Sequence, residues 1–304
     1  MEAFWNVLSS QSVLLLFFAV GVLLLRCGVL SETGVEDLTR LVVQALLPIT
    51  IFQSFQMELA GDDLRMALLL LVISSGVCLL SYGAGKLFFG RYPAPKQSVM
   101  RYSALISNCT FVGLPLLSAI YGAKGVFYAS VFVIPNRFFM WSLGVLMFDR
   151  GGVSLRASLK KMLLNPCMIA CFLGVGCMVV GLRLPPVLDR VLSALDGCTG
   201  PLSMITIGAI LARVPLAGAF KRDSLYICAV RLVILPLAVW ALLTACGVEP
   251  LVLAVSVLMT GMPLANTVIL LAKRYACEVE LAAQATLASV LLSLLTVPLT
   301  TFLF

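Results

Sequence analysis

Two short segments carry the groups of this chain best suited to hold a ligand: residues 107–115 (SNCTFVGLP) and residues 260–267 (TGMPLANT). Both contain the signal Gly-x-Pro-Leu inside a long apolar run, and both add an asparagine and hydroxyl side chains. A proline removes one backbone donor and clashes with the carbonyl four residues earlier, while a glycine lets the chain leave helical geometry at low cost. We therefore predict that a helix breaks in each segment. The glycine and proline positions are Gly113, Pro115, Gly261 and Pro263.

A pair of broken helices in hydrocarbon predicts a ligand site near the midplane. Freed N–H and C=O groups are costly there unless they line a protein-enclosed or wet cavity. Half-helix N-termini offer free N–H groups and a positive dipole end, and the amides of Asn108 and Asn266 can donate hydrogens to a carboxylate. In the alternative, the prolines are simple kinks and the polar residues only tie helices together. The predicted substrate-binding residues are Asn108, Thr110, Gly113, Pro115, Gly261, Pro263, Asn266 and Thr267.

Two arginines, Arg137 and Arg231, fall inside apolar runs. Charged residues are costly in such positions, which suggests a function. We interpret both as candidate charges for attracting an organic anion. Two alternatives stay open: Arg231 extends along its helix to the cytoplasmic interface, and Arg137 bonds the carbonyls freed near Pro135.

The elements that must position these residues are membrane helices. The chain has 304 residues, of which 61% are hydrophobic and 12% are charged, whereas soluble domains carry about a quarter charged residues. A spanning helix needs roughly 20 apolar residues, so the chain has room for about ten helices and for no sizeable soluble domain. The apolar runs predict spans at residues 11–30, 38–56, 66–90, 97–121, 125–148, 162–183, 187–212, 222–247, 250–273 and 282–304.

The same composition argues against an enzyme, a metal site and a cofactor. The chain has no histidine, the commonest general base and metal ligand. Its 10 cysteines form no CxxC pair and lie mostly in apolar runs, which favours buried packing. It has no GxxxxGK[ST] phosphate loop, and its net charge of +7 is distributed by loop, which indicates topology rather than nucleic-acid binding. We also place every acidic residue, including Asp189 and Asp196, in loops or at span ends.

The positive charges predict how the chain lies in the membrane. Most of the 21 lysine and arginine residues fall in the connections that follow the odd-numbered predicted spans. By the positive-inside rule these connections face the cytoplasm and both termini lie outside. Only Glu2 among charged residues precedes the first apolar run, so we interpret that run as a retained helix rather than a signal peptide. The compact loops favour a bacterial inner membrane or another plasma membrane.

The two halves of the chain show the same signals at corresponding places. The Gly-x-Pro-Leu signals lie in the fourth and ninth predicted spans, and the second and seventh spans share a proline, Pro48 or Pro201, that an Ile-Thr-Ile triplet follows. An offset of five spans inverts the second unit. We therefore predict an all-α integral membrane protein of ten transmembrane helices in two inverted repeats, residues 1–148 and 162–304, joined by a cytoplasmic linker at residues 149–161. This pattern is typical of a carrier.

In addition to the two breaks, other motifs along the chain resemble the auxin efflux carrier family in its compact bacterial form. Each motif alone is a weak indication of the family, but the motifs occur in the family's order and together cover essentially the whole chain. The most specific are the C-terminal ones. The motifs are residues 45–48 (ALLP), 51–54 (IFQS), 108–115, 165–166 (NP), 200–208, 231–236, 262–267, 271–275 (LAKRY) and 294–299.

The resemblance implies a scaffold domain of helices 1, 2, 6 and 7 and a transport domain of helices 3 to 5 and 8 to 10, with helices 4 and 9 crossing at their breaks. It further implies elevator-type movement of a small organic acid anion such as malonate, malate or an auxin-like carboxylate. Asn108 and the backbone around Pro115 and Pro263 are the contacts carried over, and a homodimer through the scaffold is implied. The chain lacks the long central loop of the plant hormone carriers, which weakens auxin as its substrate.

The leading hypothesis is therefore a secondary transporter of small carboxylates, with H⁺ or Na⁺ as the candidate coupling ion. Two alternatives remain at this point: a sodium-coupled carrier of the related bile-acid type, and a membrane receptor of the same fold that does not transport. An intramembrane enzyme is the least favoured hypothesis, because no nucleophile and base pair can be assembled.

Overall fold

The computed structural model describes residues 2–56, 61–148, 160, 163–182 and 184–303, and within these residues the regular structure is helical apart from one isolated β-bridge. Six helical segments of this described part are long and apolar enough to cross a membrane. The chain therefore has the all-α architecture of a multi-pass membrane protein. The six segments are Leu8–Arg26, Leu64–Phe89, Cys109–Gly144, Pro186–Leu211, Arg222–Ala245 and Val279–Leu303.

The helices follow the predicted apolar runs. In the first half they are α1 (Glu2–Arg26), α2 (Glu32–Leu41), α3 (Leu47–Ser54), α4 (Gly61–Phe89), α5 (Ala94–Leu105) and α6 (Leu114–Phe139). In the second half they are α7 (Pro166–Val180), α8 (Pro186–Leu211), α9 (Leu216–Ala219), α10 (Arg222–Ala229), α11 (Leu235–Ala245), α12 (Pro250–Thr260), α13 (Thr267–Arg274) and α14 (Val279–Thr300).

The helix bounds differ from the predicted spans mainly at two places. Helix α1 begins at Glu2 rather than near residue 11. The predicted spans 97–121 and 125–148 meet within α6 at Gly122, whose φ of 60° and ψ of −148° turn the chain sharply. A glycine adopts a positive φ without the steric penalty of other residues. The predicted linker, residues 149–161, lies outside the described residues apart from residue 160.

Two helices are interrupted where the sequence predicts breaks. Helix α5 ends at Leu105, and residues 106–108 leave helical geometry before the chain turns into α6. Helix α12 ends at Thr260, and residues 261–266 are irregular up to the start of α13. The first break therefore precedes Gly113 and Pro115 instead of coinciding with them. Pro115 follows the helical turn Cys109–Gly113 without a further break, so its missing N–H removes one hydrogen bond to that turn.

Turns of π-helix precede three Leu-Pro pairs in the described residues. They run Val42–Leu46, Cys109–Gly113 and Val230–Ile234, and each leads into an α-helix that begins with Leu-Pro. A further π turn, Met140–Gly144, continues α6. π turns are rare and cluster at functional sites. The turn at Cys109–Gly113 contains two of the predicted site residues, and the turn at Val230–Ile234 contains Arg231.

A polar contact joins α3 to α8. The Thr50 hydroxyl donates to Asp196 Oδ1 at 2.5 Å and lies 2.8 Å from the Thr199 hydroxyl oxygen. One turn on, Gln53 Nε2 donates to Asp189 Oδ1 at 2.6 Å. The placement of Asp196 at a span end is therefore wrong, since it lies well inside α8. Its partners come from a distant helix, which the local hydropathy pattern does not record.

Candidate functional site

The two helix breaks meet and pair with each other. The Asn108 backbone N–H donates to the Pro263 carbonyl oxygen at 2.8 Å. Next to it, Ser107 and Leu264 form an antiparallel β-bridge. The Ser107 hydroxyl also donates to the Met259 carbonyl, at 3.2 Å. The backbone groups freed at one break are thus partly satisfied by the other, as buried backbone requires.

Asn108 caps the helix that follows the first break. Its Oδ1 accepts a hydrogen bond from the Phe111 N–H at 3.3 Å, and its backbone carbonyl accepts from the N–H groups of Val112 and Gly113. The residue is 5% exposed. Its Nδ2 is buried and has no hydrogen-bond partner within the described ranges. An unpartnered buried donor is costly, so this amide is suited to a ligand that accepts hydrogen bonds.

The second break presents its own polar groups. Asn266 lies directly before α13, and its Oδ1 is buried without a partner among the residues described. Thr267 shares a hydrogen bond of 2.7 Å with the Tyr102 hydroxyl, so it is already bound to α5. The Leu264 N–H donates to the Ser289 hydroxyl on α14 at 3.0 Å. The predicted residues of the two motifs therefore belong to one polar cluster.

Arg137 joins this cluster from the far end of α6. It donates to the Thr110 hydroxyl and contacts the Met140 sulfur at 3.5 Å. Met140 also accepts from Thr267 at 4.0 Å. In the described part of the chain the Arg137 Nε has no partner, and no carboxylate pairs with the guanidinium. These donors do not go to carbonyls near Pro135, so Arg137 brings to the predicted anion site a positive charge that no carboxylate of the described residues pairs with.

Arg231 occupies a different place from the one predicted. It is 2% exposed, and its Nε donates to the Met262 carbonyl at 3.3 Å while its Nη1 donates to the Ala104 carbonyl at 2.8 Å. The alternative in which Arg231 extends to the interface is therefore wrong. Its hydrogen bonds go to backbone atoms of both breaks. This role escapes sequence reasoning, because it depends on which carbonyls the tertiary structure leaves free.

The glycines and prolines of the two motifs make close packing between helices. A Cβ at Gly113 would lie 2.8 Å from the Met259 sulfur, and one at Gly261 would lie 3.4 Å from Pro236 Cγ. Pro115 is buried, with Gly200 of α8 against it. Pro263 lines a narrow, mostly apolar cleft with α1, α8 and α14. The other residues that line it are Gln11, Leu14, Leu15, Phe18, Val112, Met204, Ile207, Val290, Ser293 and Leu294.

Tyr102, Met140 and Ser289 are members of the cluster that the sequence did not indicate. Each lies in an ordinary apolar context with no motif of its own. Of the residues described, no three His, Cys, Asp or Glu side chains come together as a metal site. The arrangement can therefore hold an anion through an amide N–H and a guanidinium.

The chain is similar to known membrane proteins over nearly its whole length. A family model described as "Membrane transport protein" matches residues 8–301. A protein named "Uncharacterized transporter" from Methanothermobacter thermautotrophicus is 28% identical over 96% of this chain and 97% of its own length. An "Uncharacterized transporter" from Methanocaldococcus jannaschii is 25% identical over 94% of this chain and 95% of its own length. These matches confirm the family resemblance inferred from the sequence.

Proposed function

The chain belongs to the membrane transport protein family, and we propose that it is a secondary active transporter of a small organic acid anion such as malonate, malate or an auxin-like carboxylate. The family and the two relatives are transporters rather than enzymes. The observation that carries the proposal is the buried cluster at the crossing. There the Asn108 Nδ2 is buried without a partner among the described residues, and Arg137 donates to Thr110, two residues further along the chain; an amide donor and a guanidinium both favour a carboxylate.

The proposed architecture is ten transmembrane helices in two inverted repeats. The crossing of the two breaks supports it, because discontinuous helices in corresponding positions of two halves are the mark of such carriers. We assign the predicted spans 1, 2, 6 and 7 to a scaffold domain; they correspond to α1, to α2 with α3, to α7 and to α8. The packing of α1 on α8 and of α3 on α7 and α8 supports this assignment. In the part that we assign to the transport domain, Lys96 of α5 forms an ion pair with Asp223 of α10. The Tyr226 hydroxyl of α10 donates to the Phe88 carbonyl of α4.

The proposed cycle is elevator-type movement of the transport domain past the scaffold. We place the protein in a plasma membrane with both termini on the non-cytoplasmic side, and we propose a homodimer through the scaffold domain. Coupling is to H⁺ or Na⁺. Asn108, Thr110, Gly113, Pro115, Gly261, Pro263, Asn266 and Thr267 form the proposed substrate site.

Uptake into proteoliposomes tests the proposal. Labelled malonate, malate and indole-acetate are offered separately under imposed sodium, proton and voltage gradients. We expect saturable uptake of at least one acid by the wild-type protein, and loss of that uptake in the double variant Asn108→Ala with Asn266→Ala, because the free Asn108 amide donor and the Asn266 side chain of the second break are then both removed. Saturable uptake that survives the double substitution would refute the site. Dependence of the uptake on the sodium or on the proton gradient identifies the coupling ion, and binding without flux would favour a receptor.

Arg137→Gln provides a second test. Loss of this charge is expected to raise the KM for the transported anion by about tenfold, since a hydrogen bond to a charged group contributes roughly 1.5–3 kcal/mol. Arg26→Gln is the matched control, because it removes the same charge from the exposed end of α1. Initial uptake rates against substrate concentration give the KM of each variant. Equal KM values for Arg137→Gln and wild type would exclude Arg137 from the site.

A further inference from the structure

We infer that Arg231 is a positioning residue that keeps α5 from extending through Asn108 and so holds the Asn108 amide at the crossing. This inference rests on the proposed function, in which the Asn108 amide contacts the substrate. The first observation that supports it is that the Ala104 carbonyl lacks its usual helical hydrogen bond. In a continuous helix the Ala104 carbonyl would accept the Asn108 N–H, four residues on. Here the Asn108 N–H donates to Pro263 instead, and Arg231 Nη1 donates to the Ala104 carbonyl.

The second break depends on the same side chain. Arg231 Nε donates to the Met262 carbonyl, which lies in the irregular segment beside Pro263. One guanidinium therefore satisfies one backbone acceptor at each break, from a third helical segment, Val230–Ile234. A rigid planar group with donors in different directions suits two separate carbonyls, whereas a lysine ammonium is a single point of charge. The Arg231 contacts thus fix the separation of the two breaks.

The full burial of Arg231 assigns it to positioning and not to substrate contact. Its cost as a buried charge is high, and the described residues offer it no carboxylate partner. The Ala104 carbonyl stands in the last turn of α5, at the negative end of the helix dipole, where a cation is stabilised. Without Arg231, the Ala104 carbonyl would regain a partner most simply by recapturing the Asn108 N–H. That change would add a turn to α5 and withdraw Asn108 from Pro263.

The variants Arg231→Met and Arg231→Lys separate position from charge. Arg231→Met is expected to raise the KM for the transported anion at least about tenfold, and Arg231→Lys is expected to restore only part of the affinity, because one ammonium replaces two directed donors. Arg213→Met is the control, since Arg213 forms a partly exposed ion pair with Glu32 at 3.1 Å and contacts neither break in the described part of the chain. It should transport like the wild type. Wild-type affinity in Arg231→Met, or full recovery in Arg231→Lys, would overturn the inference.

Hydrogen exchange supplies a readout that does not depend on any substrate. Peptides that cover residues 104–113 are expected to change their exchange rates in Arg231→Met relative to both wild type and Arg213→Met, because the Asn108 N–H changes its acceptor. Unchanged exchange in that segment would contradict the inference even if transport falls. If Arg231→Met fails to fold in detergent, the same comparison is made with Arg231→Lys. If the wild-type protein moves no carboxylate, the proposed function fails while the exchange result still decides the role of Arg231.

Discussion

Gly208→Val is expected to prevent the accumulation of folded protein. A Cβ at Gly208 would lie 2.0 Å from the Phe18 carbonyl oxygen, and a Cβ at Gly21 would lie 2.0 Å from the Ile205 carbonyl oxygen. Helices α1 and α8 therefore approach backbone to backbone at two reciprocal glycines, as small residues permit in membranes. The obstructing atoms belong to the main chain, so they cannot turn aside as a side chain would. The cost is expected to exceed about 3 kcal/mol, the upper range for overpacking.

Gly197→Val on the same helix is the matched control. A Cβ at Gly197 would meet no atom within 4 Å, and the residue is exposed. Both variants place valine in α8, so helix propensity cancels in the comparison. Fluorescence size-exclusion profiles and thermal melting in detergent measure the outcome. Gly208→Val protein that accumulates and melts like Gly197→Val would contradict the close packing of α1 on α8.

Asn108→Asp is expected to lower the affinity for the transported anion by about 100-fold, equivalent to about 2.7 kcal/mol. The substitution replaces the free Nδ2 donor with a carboxylate oxygen that repels an anionic ligand. An aspartate can still accept the Phe111 N–H, so the cap of the following helix is retained. The loss should therefore appear in binding and transport rather than in folding. The expected sign is the same for any anionic substrate.

Asn165→Asp serves as the control for that prediction. Asn165 caps α7, where its Oδ1 accepts the Cys167 N–H at 3.0 Å, and an aspartate performs this cap equally well. Its transport should match the wild type. Ligand-induced shifts of the melting temperature, measured in both variants, separate lost affinity from lost stability. An Asn108→Asp protein with an unchanged shift would remove Asn108 from the substrate site.

The helices and the two breaks were predictable from the sequence, because long apolar runs and Gly-x-Pro signals act locally. The exact position of the first break was not predictable in this way. It lies at residues 106–108, since the Asn108 cap decides where the helix restarts, and Pro115 lies beyond that cap in helical backbone. Local patterns indicate that a helix must break nearby, while the capping side chain selects the residue.

The contacts made by polar residues in the membrane were the least predictable part. Asp196 is stabilised by Thr50, and Arg231 by carbonyls of Ala104 and Met262. Each partner lies far away along the chain, so no window of sequence contains both. The residue types at the candidate site could be read from two motifs, whereas Tyr102 and Met140 entered it only through the packing of α5 and α6 against α13.

The backbone hydrogen bond between the two breaks also constrains the order in which the protein assembles during translation. The Asn108 N–H receives its acceptor, Pro263, from the other half of the chain. During translation the first half enters the membrane before that acceptor exists, and Asn108 can then satisfy its N–H only within its own helix. We therefore expect the proposed ligand site to form late in assembly, after the last helices have inserted.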